Sequence, residues 1–250
     1  MQTAIDAWRL ELSHRKAERV LPVTGGWAFL NDTYRHSHDH NKILLSSASD
    51  GVQAVAEADH VLGGAGLSFR LVEAQTQAIA AVVRPALSAA GYECDNELVM
   101  RWDAARAPTS SGQRGVVEID VSERCSAATE DWRQELPNEG EAVWGQLGER
   151  ARTVADFATF FAVRAADGSV ASRADLYLHD GIGHIEDVMT RVDQRGQGFA
   201  STIVLTAARR AVESAASVVF LVASADDWPQ QLYRRLGFDT VGASASFTRT

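Results

Sequence analysis

Arg195-Gly196-Gln197-Gly198-Phe199-Ala200 lies between the strand-like run Ile185 to Thr190 and the helix-like run Ser201 to Ala215. A strand that passes through a tight glycine-bearing turn into a helix leaves the first N–H groups of that helix unpaired, at the positive end of its macrodipole. Such a turn suits an anion. Gly196 and Gly198 let the backbone approach a bound group closely, and Arg195 adds a fixed charge matched to phosphate oxygens, so pyrophosphate fits the pattern. Two glycines before a helix are equally compatible with ordinary turn chemistry, and the flanking sequence has to decide.

Downstream, Ile203, Val204, Ala207, Ala208 and Ala211 form one apolar helix stripe, with Arg209, Arg210 and Glu213 opposite. Val218 to Val222 is a short, wholly apolar run, as a buried parallel strand requires. Asp226 and Asp227 before Trp228-Pro229 predict a capped helix that runs through Tyr233 to Leu236 and closes at Gly237-Phe238. Upstream, Thr159 to Arg164, Ser172 to Leu178 and Ile182 to Thr190 are strands joined by tight connections at Asp167-Gly168 and Asp180-Gly181. The result is an antiparallel meander that leads into the turn. A ligand that paired with a splayed strand end at Val188 to Thr190 and reached the turn would be long, with phosphate at one end.

Before the meander, Gly115 to Val121 alternates like a strand, and helical stretches follow from Asp131 to Leu147 and from Glu149 to Phe157, with a loop at Pro137 to Gly140. Ala107-Pro108-Thr109-Ser110-Ser111-Gly112 has linker composition and marks the expected domain boundary. The first half begins with a predicted helix from Thr3 to Leu21, ended by Pro22. It then repeats a pattern of strand, helix, strand, helix, Gly91-Tyr92 and strand. Gly237 − Gly91 gives an offset of 146 and Gly198 − Gly51 one of 147, near-constant values that point to duplication of a whole domain. The repeat is uneven in chemistry: Leu87 stands where Tyr233 stands in the second half, and Ala48 stands opposite Arg195.

A formal charge of −9 argues against a general nucleic-acid or anionic-membrane binder. Cys94 and Cys125 have no disulfide or zinc spacing, and the amphipathic N-terminus is neither a signal peptide nor a membrane span, which together place the protein in the cytoplasm. His36, His38 and His40 would share one face of a strand and could meet a metal there, but their polar neighbours fit a solvated loop, so no metal is expected.

Arg195-x-x-Gly198-x-Ala200 resembles the R/Q-x-x-G-x-G/A acyl-CoA motif of the GNAT acyltransferase superfamily. Asp226 followed by Tyr233-x-x-x-Gly237-Phe238 is similar to that family's downstream N-x6-Y-x3-G-F element. The linker and repeat further resemble tandem GNAT proteins. The resemblance implies an α/β (α+β) fold with two GNAT-like domains, each a mixed, mostly antiparallel sheet flanked by helices. Residues 1–106 would be a degenerate domain, residues 107–114 a linker and residues 115–250 the catalytic domain.

It also implies an acetyl-CoA-dependent N-acyltransferase in which an amine attacks the thioester directly in a ternary complex. Arg195, Gly196, Gln197, Gly198, Phe199, Ala200 and Ser201 would hold the pyrophosphate, and Val188, Met189 and Thr190 would pair with pantetheine. Tyr233 would protonate the departing thiolate. Glu186 is the first choice for the base, Asp187 the second and His184 the third, because alternation puts Glu186, Val188 and Thr190 on one strand face and Asp187 on the other. Asp226 stands where the family has Asn, and it either accepts a pantetheine hydrogen bond or only caps the helix. The alternative is a non-catalytic acyl-CoA sensor or scaffold. The acceptor amine and the oligomeric state stay open at this level, and a rival dinucleotide-binding reading of Gly196 to Ser201 fails on the tight meander before it.

Overall fold

The computed structural model describes residues 2–108 and 115–250; residues 109–114, most of the expected linker, lie outside the described residues. Among the described residues there are seven α-helices and eleven strands in a mixed α/β arrangement. The chain divides into two compact units. The first comprises Met1–Val99, Ala223–Asp227 and Val241–Thr250, and the second Met100–Val222 and Trp228–Thr240.

The first unit contains α1 (Gln2–Lys16), β1 (Arg19–Val23), β2 (Gly26–Leu30), β3 (Lys42–Leu45), α2 (Gly51–Ala58), β4 (Arg70–Ala74) and α3 (Gln77–Ala89), followed by the start of β5 (Glu93–Trp102). The helix predicted to reach Leu21 stops at Lys16, and Pro22 sits inside β1 instead. As the outermost strand, β1 pairs only with β2, and an edge strand tolerates a residue that lacks an N–H. Pairing is antiparallel from β1 through β3 and parallel between β3 and β4. The core behind these strands gathers Ile43, Leu45, Val72, Val83, Leu87 and Phe247.

Phe247 arrives from the far end of the chain. The last strand, Phe238–Arg249, numbered β11 in chain order, pairs antiparallel with β4 from Ala245↔Ala74 to Arg249↔Arg70. A single cut within residues 107–114 therefore does not reproduce the two compact units, because residues 241–250 join the first of them. Linker composition reports local backbone freedom; the partner of a terminal strand is settled by long-range pairing, which composition does not carry.

The second unit holds β6 (Val116–Ile119), α4 (Val121–Glu135), α5 (Glu141–Glu149), a 3-10 turn at Arg150–Val154, β7 (Ala158–Arg164), β8 (Val170–His179) and β9 (Ile182–Thr190). Next come α6 (Phe199–Glu213), β10 (Val218–Ser224) and α7 (Pro229–Arg235). Strands β6 to β9 form the expected antiparallel meander, and β10 joins β9 in parallel. The predicted stripe of α6, Ile203, Val204, Ala207, Ala208 and Ala211, is wholly buried. Each unit thus has the same plan: an antiparallel run, then a strand–helix–strand crossover closing on a parallel pair.

Helix α6 packs so closely on β9 that a Cβ at Gly183 would lie 2.6 Å from the Cβ of Ala211. The contact fixes the height of α6, and of the turn preceding it, above the sheet. Gly183→Ala is expected to destabilise the protein by about 1–3 kcal/mol through overpacking, measured by urea unfolding. An unchanged midpoint would show that α6 is free to shift.

Candidate active site

Strand β9 pairs with β10 only at its start, through Ile182↔Val218, Gly183↔Val219 and His184↔Phe220. The His184 and Phe220 rings stack at this last rung, with centroids 4.2 Å apart and planes 7° apart. Beyond it β9 continues to Thr190 with pairing to β8 alone among the described residues. One edge of β9 therefore offers N–H and C=O groups to an extended partner. Glu186 is the second residue past the rung, with its Oε1 3.0 Å from His184 Nε2.

At the end of β9 a short 3-10 turn (Val192–Gln194) leads into Arg195, and α6 begins at Phe199. Gly196 and Gly198 have φ of 79° and 82°, values that a side chain disfavours, and no atom stands within 4 Å of where a Cβ would be. Gly198 is the N-cap and no side chain caps the helix, so its first N–H groups are presented to solvent. Arg195 Nε donates to the Thr190 carbonyl at 3.2 Å, which tethers the guanidinium beside those donors. Gln197 bonds Gln194 at 3.1 Å and stiffens the turn.

The corresponding helix start in the first unit is closed. Asp50 caps α2 by accepting from Val52 N at 2.7 Å, and a Cβ on Gly51 would meet Ala86 and Val83 at 2.9 Å. A carboxylate already occupies the donors there and repels a second anion.

The middle of β9 departs from simple alternation. Pairing with β8 slips between Arg173↔Met189 and Asp175↔Glu186, so that Asp187 and Val188 face a single β8 residue. This is a β-bulge, and Asp187 occupies it with φ of 53°. The bulge overturns the expected facing. Glu186 shares a face with its register partner Asp175, and Asp187 turns to that face too, since Arg124 bonds both Asp175 and Asp187. Thr190 lies on the opposite face, bonded to Ser172 at 2.9 Å.

Three guanidiniums converge on Asp187. Arg124 from α4 and Arg150 from the 3-10 turn donate to its carboxylate, Arg150 at 3.1 Å to both oxygens. Arg173 from β8 donates to the Asp187 backbone carbonyl at 3.2 Å, while its Nε bonds Asp131 at 2.8 Å. Arg124 and Arg173 are almost fully buried, as is Asp175, which accepts from Arg124 at 2.6 Å. Burial opposes the charge on Asp187, but Arg150, Arg124 and Arg173 outweigh it and hold the carboxyl well below the usual carboxylate range. So acidic a group binds a proton poorly, and the geometry speaks against Asp187 as a base. Glu186 lacks that arginine cage.

A cleft of about 230 Å³ opens between the end of α4 and the end of β9, lined by Asp131, Glu135, Met189, Thr190, Arg191 and Arg195 among others. Burial and the neighbouring Asp131 push the Glu135 carboxyl up. Tyr233 lies buried on α7, its ring 6.0 Å from that of Phe238. Asp226 falls in the first unit, and α7 opens at Trp228 without a side-chain cap, so the predicted aspartate cap is not formed. His38 packs 3.9 Å from the Phe69 ring and His40 bonds Ser37 at 2.9 Å in a turn-rich segment rather than a strand. Among the described residues no three His, Cys, Asp or Glu side chains gather in a group able to hold a metal. No helix among them is long and apolar enough to cross a membrane.

The arginines went unnoticed in the sequence. Arg173 and Asp175 do carry a signal, since both place a charge at alternate positions of the mostly apolar strand Ala171 to Leu178. Charges placed there need partners from outside the strand.

Strand β9 thus parts from its parallel neighbour shortly before a helix that starts without a side-chain cap. Residues 125–238 match the model of the acetyltransferase (GNAT) family. No curated protein sequence matches the chain significantly. Among solved structures, a GCN5-related N-acetyltransferase from Kribbella flavida is similar with a TM-score of 0.67 at 16% identity, over 99% of this chain and 95% of that one. A functionally unknown conserved protein from Staphylococcus epidermidis is similar with a TM-score of 0.69 at 13% identity, over 93% and 94%. A tandem GNAT protein from the clavulanic acid biosynthesis pathway is similar with a TM-score of 0.52 at 14% identity, over 78% and 68%. At these identities the likeness is one of fold.

The low pKa of Asp187 sets a pH dependence. A carboxyl whose folded pKa lies below its unfolded value of about 3.9 contributes stability that is full above that value and is lost as pH falls through the folded one. Asp187→Asn is expected to cost about 3–5 kcal/mol at pH 7, because it leaves the buried guanidiniums uncompensated. The gap between the two proteins should narrow in urea unfolding below about pH 4. A gap independent of pH would show that the charge on Asp187 does not stabilise the fold.

Proposed function

We propose that the protein is an acetyl-CoA-dependent N-acyltransferase acting on an amine, with one cofactor site, in the second unit. The observation that carries this reading is the parting of β9 from β10 directly before the uncapped, glycine-bearing start of α6, inside the segment that matches the GNAT family. No metal takes part in the proposed reaction.

In this reading the N–H groups from Gly196 to Ser201 and the Arg195 guanidinium hold the pyrophosphate of coenzyme A. The free edge of β9 at Val188, Met189 and Thr190 pairs with the pantetheine amides as an added strand would. A backbone N–H near the bulge then polarises the thioester carbonyl, as an oxyanion donor fixed before reaction. The acceptor amine attacks that carbon directly, in a ternary complex.

Glu186 is our choice for the base. It stands just past the last β9–β10 rung, and its contact with His184 fixes one carboxylate oxygen. From there it takes a proton from the acceptor's ammonium, directly or through water, so that the neutral amine can attack. Tyr233 returns a proton to the departing thiolate. The open turn in the second unit and the self-capped α2 in the first support a single cofactor per chain, with the first unit non-catalytic.

Arg195→Ala should weaken acetyl-CoA binding by about 1.5–3 kcal/mol, the worth of a charge-assisted hydrogen bond, as read by titration calorimetry. Unchanged affinity would remove the turn from the cofactor site. Tyr233→Phe should keep that affinity and slow thiol release from acetyl-CoA in a screen across amine classes. Equal turnover in the two proteins would take Tyr233 out of the mechanism.

A further inference from the structure

We propose that Arg150 and Asp187 are positioning residues that aim the free edge of β9 at pantetheine, a role that rests on the acyltransferase reading above. Asp187 adopts a left-handed backbone conformation that costs a non-glycine residue free energy and persists only where its surroundings impose it. Those surroundings are the arginines. Arg173 holds the carbonyl of the bulged residue itself, and Arg124 and Arg150 hold its carboxylate from the helical side.

A bulge bends its strand and increases the local twist. This one falls between the last rung shared with β10, at His184, and the segment Val188 to Thr190 whose edge is free. The direction in which that free edge points is therefore set at Asp187. Ser172 adds a further tie by donating to the Met189 carbonyl at 2.8 Å.

The three arginines are not equivalent. Arg124 also serves the buried Asp175 and Arg173 also serves Asp131, so both are part of the core. Arg150 is the outermost of the three, partly exposed, and its guanidinium pairs with Asp187. That guanidinium also lies 5.5 Å from the centre of the Trp132 ring on α4. It therefore connects the helical layer to the bulge while being the mildest of the three to replace. A charge pair tuned this way acts on the part of the cofactor that lies along the strand and leaves the part at the turn alone.

Acetyl-CoA is compared with adenosine 3′-phosphate 5′-diphosphate, the nucleotide half that lacks pantetheine, on wild type, Arg150→Ala and Arg150→Lys. Calorimetry should show Arg150→Ala weakening acetyl-CoA about tenfold or more, the scale of one charge-assisted hydrogen bond, while the nucleotide half binds as it does to wild type. Arg150→Lys should recover part of the loss. Asp187→Asn, which keeps the side-chain shape and tolerates the same backbone conformation, should reproduce the selective loss. Equal weakening of both ligands, or of neither, would overturn the positioning role. Failure of wild type to bind either ligand would instead overturn the cofactor reading on which it rests.

Discussion

Three arginines hold the carboxyl of Asp187 well below the usual carboxylate range, and several elements of the second unit meet on it. Three guanidiniums from three separate elements meet on one bulged residue of β9, two through its side chain and one through its backbone carbonyl. Moving such charges out of water is costly, and their mutual attraction compensates only while the geometry is kept. The arrangement therefore ties α4, the 3-10 turn and β8 to one point of β9.

The two units build different helix starts on one architecture. Both use a strand–helix–strand crossover with a parallel pair, which places a helix N-terminus at the end of a strand. In the second unit that N-terminus has a glycine cap and open space around it. In the first, Asp50 bonds the same class of backbone donor, and Gly51 is packed against α3. The first unit directs charge elsewhere, burying Lys42 between Glu73 and Asp39. Burial disfavours that ammonium, but Glu73 and Asp39 hold its pKa above the ordinary lysine value.

Glu186 and Asp187 are adjacent carboxylates on the same face with different surroundings. Asp187 is enclosed by arginines and stays ionised to low pH; Glu186 faces a stacked histidine at the point where the strands part.

The antiparallel meander, the buried stripe of α6, the apolar β10 and the anion-suited turn were all legible in the sequence. Each depends on local periodicity or on backbone freedom at named glycines, and those properties travel with a short segment. The uneven chemistry of the two halves was legible as well, since Ala48 and Leu87 stand where Arg195 and Tyr233 stand. Tertiary structure decided the rest. Residues 241–250 join the first unit because a strand chooses its partner at long range. Period-two alternation placed Asp187 on the wrong face because a bulge adds one residue to one strand, and no local pattern announces it. Arg124, Arg150 and Arg173 could be counted in the sequence, but only the fold brings side chains 63, 37 and 14 positions away onto a single aspartate.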